Sequence, residues 1–168
     1  MLRQSIYFFV SIFLIASISS CNKNLRKSDE LSEMDGESSM NTGDENTMGD
    51  SDSGRAMGLQ TVYFPYDSFK VDNDAKATLQ ANAAILQANP NLRVQVEGHC
   101  DSRGGIQYNI ALGEKRAKAV RDYLSKNHGI TSDRVTTISY GKERLLDPGN
   151  DETAHSKNRR GNFVITSN

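Results

Sequence analysis

Residues 92–129 read LRVQVEGHCDSRGGIQYNIALGEKRAKAVRDYLSKNHG, and the fold turns on this stretch. Leu92, Val94 and Val96 alternate with Arg93, Gln95 and Glu97, the period of a strand with one buried face. Gly98 to Gly105 then forms a glycine-rich loop at the strand's C-terminal end. A helix is expected from about Tyr108 to Asn127, closed by Gly129. Along that helix Gly113, Ala117, Val120 and Leu124 make an apolar stripe suited to a sheet, and Asn109, Leu112 and Arg116 share the adjoining stripe. Arg116 therefore lies at the edge of the core. Asp101 sits in the loop that feeds the helix, so an acid and a guanidinium can approach each other across a small cleft. As a structural device this would be an ordinary Asp–Arg pair pinning the loop to the helix.

Working outward, Thr61 to Tyr66 alternates as a strand, and Pro65 within it argues for an edge position or an early end. Asp72 or Asn73 caps a helix through Asn89, in which Ala75, Leu79, Ala83 and Leu86 form one stripe before Pro90 stops it. Beyond the decisive stretch, Arg134 to Tyr140 predicts a strand, Asp151 to Arg159 a short helix and Asn162 to Thr166 a last strand. The order β-α-β-α-β-(α)-β over residues 59–168 predicts an α+β domain: a two-layer sandwich with a four-stranded mixed sheet and helices on one face.

The N-terminal third is built differently. Arg3 precedes an apolar run from Ile6 to Ile18 broken only by serines, the length of a secretory core rather than the roughly 20 residues a membrane span needs. It leads into Ile18-Ser19-Ser20-Cys21, which resembles the bacterial lipobox. That resemblance makes residues 1–20 a lipoprotein signal peptide and Cys21 the lipidated first residue of the mature protein, an attachment that acyl chains make firm. Asn22 in place of the aspartate that signals inner-membrane retention points to the outer membrane. From Asn22 to Gly58 the chain is polar and acidic, with four basic against nine acidic side chains, and is expected to be a disordered spacer. As a flexible coil it would span roughly 35 Å, and stretched about 120 Å. Residues 59–168 carry fifteen basic against twelve acidic side chains. No basic stripe with interleaved aromatics accompanies that excess, so nucleic acid is not an expected partner.

Gly98-His99-Cys100-Asp101, Tyr108-Asn109, Leu112-Gly113-Glu114, Arg116-Ala117, Ser139-Tyr140-Gly141 and Asn158-Arg159-Arg160, in this order, resemble the OmpA-like domain family, and within it the peptidoglycan-associated lipoproteins. The resemblance covers about Val62 to Thr166. It implies a non-enzymatic domain without cofactor that binds the diaminopimelate of a peptidoglycan stem peptide through Asp101 and Arg116. It places further contacts on Asp67, Arg103, Asn109 and Leu112. It also implies a lipid-anchored protein at the cell outer membrane with a periplasmic domain, and brings in Tol-system proteins as candidate partners. Diaminopimelate presents an ammonium and a carboxylate on one carbon. A carboxylate, which only accepts hydrogen bonds, and a planar guanidinium, which only donates, match those groups one for one. Two departures stand out: Pro65 occupies a place where relatives often carry an acid, and Gly161 follows the double arginine where a bulkier apolar residue is usual, so the last strand is expected to start late.

Two rival readings come from other classes. His99, Cys100 and Asp101 could form a metal or catalytic site, but adjacent residues at a strand end point in alternate directions and no second Cys/His cluster completes a shell. Alternatively the fold could serve only as an envelope protein-interaction module. Cys100 is expected to be a small, partly buried residue without a disulfide partner, and His128 and His155 plain surface residues.

Overall fold

The structure, a computed structural model, describes residues 49–167. The signal peptide, Cys21 and most of the expected spacer lie outside the described residues. The elements run β1 (Val62–Tyr63), α1 (Asn73–Ala88), β2 (Arg93–His99), α2 (Ile106–His128), a 3-10 turn (Ser132–Arg134), β3 (Val135–Gly141), α3 (Glu152–Asn158) and β4 (Arg160–Ser167). They form one four-stranded sheet in the order β1-β4-β2-β3. β2 and β3 are parallel, while β4 runs antiparallel to both β2 and β1, so the sheet is mixed, as expected.

Local signals explain most boundaries. Asp72 caps α1 by accepting from Ala75 N at 3.0 Å. α2 ends where Gly129 adopts a left-handed φ of 68°; Gly129 N–H then reaches Ser125 O, and Ile130 N–H reaches Leu124 O, which satisfies carbonyls the helix leaves open. The stripes predicted on both helices are buried: Leu79, Ala83, Leu86, Ala117, Val120 and Leu124 meet Val94, Val96, Phe163 and Ile165 of the sheet in one core. Where α2 crosses the end of β2 the backbones touch. A Cβ on Gly98 would overlap the carbonyl of Gly113, and one on Gly113 would overlap Ser139 Oγ. The pair of glycines lets α2 sit close enough to bring its first turns beside the loop after β2.

Several boundaries differ from the sequence expectation. β1 is two residues long and pairs only with β4 at the sheet edge; Phe64 N–H still reaches Arg159 O at 2.9 Å, and Pro65 after it cannot donate to a ladder. β4 begins early, at Arg160. Gly161 pairs across to both Val62 and Gly98, with Val120, Phe64 and Val96 packed around it. α2 starts two residues sooner, at Ile106. The spacer also ends sooner than Gly58. Asp50 bridges Val164, Ser51 N–H donates to Phe163 O at 2.9 Å, and Ala56 is fully buried.

Residues 49–51 run along the free edge of β4, and Ala56 joins the core on the helix side. Val94, Val96 and Gly98 face α2, so Glu97 and His99 point the other way. Both are nonetheless buried. Asn162 Nδ2 donates to Glu97 Oε2 at 3.0 Å, Ser51 Oγ donates to Asn162 Oδ1 at 2.8 Å, and Arg160 Nε meets Asp52 Oδ2 at 2.7 Å. The surface expectation for the other two histidines also changes. His155 is buried within α3, and His128 is half-buried with its ring 5.6 Å from that of Tyr123.

Candidate functional site

Four parts of the chain converge beyond the C-terminal end of β2. The β1–α1 loop brings Tyr66 and Asp67, the loop after β2 brings Asp101, Arg103 and Gly104, the first three turns of α2 bring Tyr108, Asn109, Leu112 and Arg116, and the junction of α3 with β4 brings Arg159. Together with Cys100 they line one cleft. All six residues named from the sequence as ligand contacts, Asp67, Asp101, Arg103, Asn109, Leu112 and Arg116, are on its wall.

Arg116 is 1% exposed, deeper than the core edge its stripe suggested. Its Nε donates to Ser68 O at 2.8 Å, Nη1 to His99 O at 2.7 Å and Cys100 Sγ at 3.4 Å, and Nη2 to Pro65 O at 3.2 Å. The guanidinium also lies 5.4 Å from the centre of the Phe64 ring. A guanidinium has five N–H donors, so one on Nη2 has no acceptor among the described residues. No carboxylate among them pairs with Arg116. Its partners are neutral dipoles, and burial pushes the guanidinium's pKa down. Even so, an arginine stays protonated, so a positive charge stands at the cleft wall with Asp101 and Asp67 acting on it only from a distance and no carboxylate of the described residues in ion-pair contact.

Asp101 is 4% exposed and is not paired with Arg116; the direct Asp–Arg contact considered from the sequence does not form. Arg103 holds it instead. Arg103 N–H and Nε both reach Asp101 Oδ1 at 3.2 Å, and Arg103 Nη2 reaches Oδ2 at 2.6 Å. Arg159 Nη1 adds a contact to Oδ2 at 3.4 Å. Burial pushes the Asp101 carboxyl pKa up, but the bonds from Arg103 and Arg159 outweigh it and hold it below the ordinary value. Glu152 ties the two arginines together, 2.7 Å from Arg159 Nη2 and 3.6 Å from Arg103 Nη1.

The other predicted contacts divide into two kinds. Asn109 orders the loop, donating from Nδ2 to Arg103 O at 2.7 Å and Gly105 O at 3.1 Å, while its side-chain carbonyl is left over. Leu112 is an apolar wall residue, 8% exposed. Asp67 is exposed, held in a left-handed turn at φ 49°, and accepts a hydrogen bond from Tyr108 Oη. Arg159 was not singled out from the sequence as a contact; the only signal was its place in Asn158-Arg159-Arg160. His99, Cys100 and Asp101 diverge. His99 Nε2 lies 3.3 Å from Glu97 on the far side of the sheet, Cys100 Sγ reaches Asn109 O at 3.3 Å, and Asp101 faces the arginines. Three side chains pointing three ways cannot share one ion.

The family model described as OmpA family matches residues 63–159. The peptidoglycan-associated lipoprotein of Pasteurella multocida is 48% identical over 100 residues, which are 60% of this chain and 66% of that protein. That of Haemophilus influenzae is 46% identical over 100 residues, 60% of this chain and 65% of its own length. The aligned part thus spans just under two thirds of these relatives. The crystal structure of the peptidoglycan-associated lipoprotein from Burkholderia pseudomallei superposes with a TM-score of 0.60 at 39% identity, covering 62% of this chain and 88% of that one.

Proposed function

Since the chain belongs to the OmpA family, we propose that its folded domain binds peptidoglycan without covalent chemistry, gripping the diaminopimelate of a stem peptide in the cleft between Asp101 and Arg116. The observation that carries this is the buried Arg116 guanidinium with no anion beside it and a spare N–H. Burying a charge without a partner is costly, and a ligand carboxylate would supply that partner in a charge-assisted bond. Asp101 provides the complementary acceptor for the ligand ammonium, and Leu112 an apolar wall for its methylenes. The names of the related lipoproteins support the ligand class.

In the same reading Cys21 carries the lipid anchor in the outer membrane, the residues between Cys21 and the domain span the gap to the wall, and the domain works in the periplasm. The protein would then tether membrane to wall, with Tol-system proteins as further partners. Binding without turnover is the expected behaviour. The full chain in detergent should sediment with purified sacculi of diaminopimelate type and release no glycan or peptide fragments. Asp101→Ala should abolish most of that retention. Retention unchanged in a folded Asp101→Ala protein would place the ligand elsewhere, and released fragments would make the domain an enzyme.

A further inference from the structure

A carboxylate has about four acceptor positions. At Asp101 four donors approach: Arg103 N and Nε on Oδ1, Arg103 Nη2 and Arg159 Nη1 on Oδ2. The acid that should take a ligand ammonium is therefore already saturated by the protein itself, and a cation can enter only by displacing a donor. The donors differ in how firmly they are held. Arg159 is 8% exposed and fixed at its other nitrogens by Phe64 O and Glu152. The Arg103 backbone N–H is part of the loop that Asn109 and Lys142 tie down. The Arg103 side chain, by contrast, is 37% exposed and rests on the open face of Tyr66, 4.1 Å from the ring centre. It is the displaceable one, and it supplies two of the four contacts.

We propose that Arg103 is an internal stand-in for the ligand's ammonium, exchanged on binding, and that this exchange makes the cleft selective for an amino-acid end bearing both an ammonium and a carboxylate. The inference rests on the assignment of the cleft as the diaminopimelate site. When the ammonium takes Asp101, the released Arg103 guanidinium remains beside the cleft, steered by Tyr66 and Glu152, and meets the ligand carboxylate together with the spare N–H of Arg116. One internal ion pair gives way to two pairs with the ligand. A bare amine, such as a lysine side chain, trades one ion pair for another and leaves Arg103 without an anion of the ligand. Discrimination then comes from the unpaired charge left by the wrong ligand as much as from contacts to the right one.

The test compares two tripeptides, alanyl-γ-glutamyl-diaminopimelate and alanyl-γ-glutamyl-lysine, titrated calorimetrically into the full chain in detergent. The wild type should prefer the diaminopimelate peptide by about tenfold or more, the size of one charge-assisted contact. In Arg103→Ala, Asp101 is open from the start, so the lysine peptide should bind more tightly and the preference should shrink by about tenfold. A preserved preference, or a loss of diaminopimelate binding with no gain for lysine, would make Arg103 a bystander or a plain clamp and overturn the exchange. In the wild type the Arg103 Nε–H resonance should move at saturation with the diaminopimelate peptide. A fixed resonance would overturn the proposal without any variant having to fold. If the wild type binds neither peptide, the site assignment itself falls and the exchange falls with it.

Discussion

The domain buries two clusters of charged and polar side chains, one on each side of the sheet, and they are built to opposite specifications. On the face away from the helices, the ionised groups have hydrogen-bond partners in the protein, and the one buried side-chain atom without a partner among the described residues of that cluster is the uncharged His99 Nδ1. Arg160 meets Asp52 at 2.7 Å, Asp52 also accepts from Thr61 Oγ1 at 2.9 Å, Asn162 uses both ends of its amide, and Glu97 accepts from Asn162. In the cleft on the other side, Arg116 is as deeply buried yet has no anion, and the partner of Asp101 is a half-exposed arginine lying on an exposed ring. A network whose ions are all partnered fixes one structure. An unsaturated one keeps interaction free energy for something that is not part of the chain. Burial of charge alone therefore does not mark a site; burial with a missing or removable partner does.

The contrast is broken most forcefully by crossing the readouts. Asp52→Ala removes one partner of a buried ion pair, 10% and 5% exposed, and should cost about 3–5 kcal/mol of stability by leaving Arg160 uncompensated. Sacculus binding well below the unfolding midpoint should stay at the wild-type level. Asp101→Ala should do the reverse. Losing a charge-assisted contact of about 1.5–3 kcal/mol weakens binding roughly ten- to hundredfold, while Arg103 and Arg159 retain Glu152. If both variants lower the melting midpoint and binding in the same proportion, the two clusters are one structural system and the comparison fails.

Arg116 sharpens the comparison because it belongs to both categories. Its bonds to the carbonyls of Pro65, Ser68 and His99 pin the β1–α1 loop to the end of β2, so Arg116→Ala should lose stability as well as binding. Arg116→Lys keeps a charge but not the fork. It should recover part of the stability and a smaller part of the affinity, measured by thermal unfolding and sacculus titration on the same preparation. Full recovery of binding by lysine would mean that the ligand sees a point charge rather than planar geometry.

What was legible in the sequence follows the same division. Period and punctuation located β2, α2 and the stripe that carries Arg116, because those depend on neighbours along the chain. The same signals put Asn109, Leu112 and Arg116 on one wall with Asp101. That Asp101 would pair with Arg103 and Arg159 rather than Arg116 depends on how far the guanidinium sinks toward three backbone carbonyls, which no local period encodes. Glu97 and His99 look like the solvent face of a half-buried strand, but Asn162 bonds Glu97, the Tyr140 ring stacks on His99, and residues 49–58 join the sheet edge beside Asn162. That segment is as polar as the spacer before it, and the buried Ala56 is too weak a mark to separate the two. Arg159 and Arg160 show the limit most plainly: adjacent and identical, they serve opposite clusters, one at Asp101 and the other at Asp52.

The smallest expected effect separates the clusters by pH. Burial pushes the His99 pKa below its ordinary value, and the hydrogen bond to the Glu97 carboxylate only partly opposes this. The native state therefore holds the imidazole neutral while the unfolded chain, with a value of about 6.5, takes up a proton. More protons on the unfolded state means that stability falls as pH drops below about 6.5, and stops falling once the native imidazole also titrates. Asp101 is depressed as well, but from the carboxylate range. Its contribution is present above about 4 and is lost only as pH falls through its lower folded value. Between about pH 6.5 and 5, thermal unfolding should thus register the sheet-face cluster while sacculus binding, which needs an ionised Asp101, stays level. His99→Gln should flatten the stability slope in that window without moving the binding curve. A binding loss near pH 6 that His99→Gln removes would join the two clusters, and would mean that the sheet transmits the state of one face to the other.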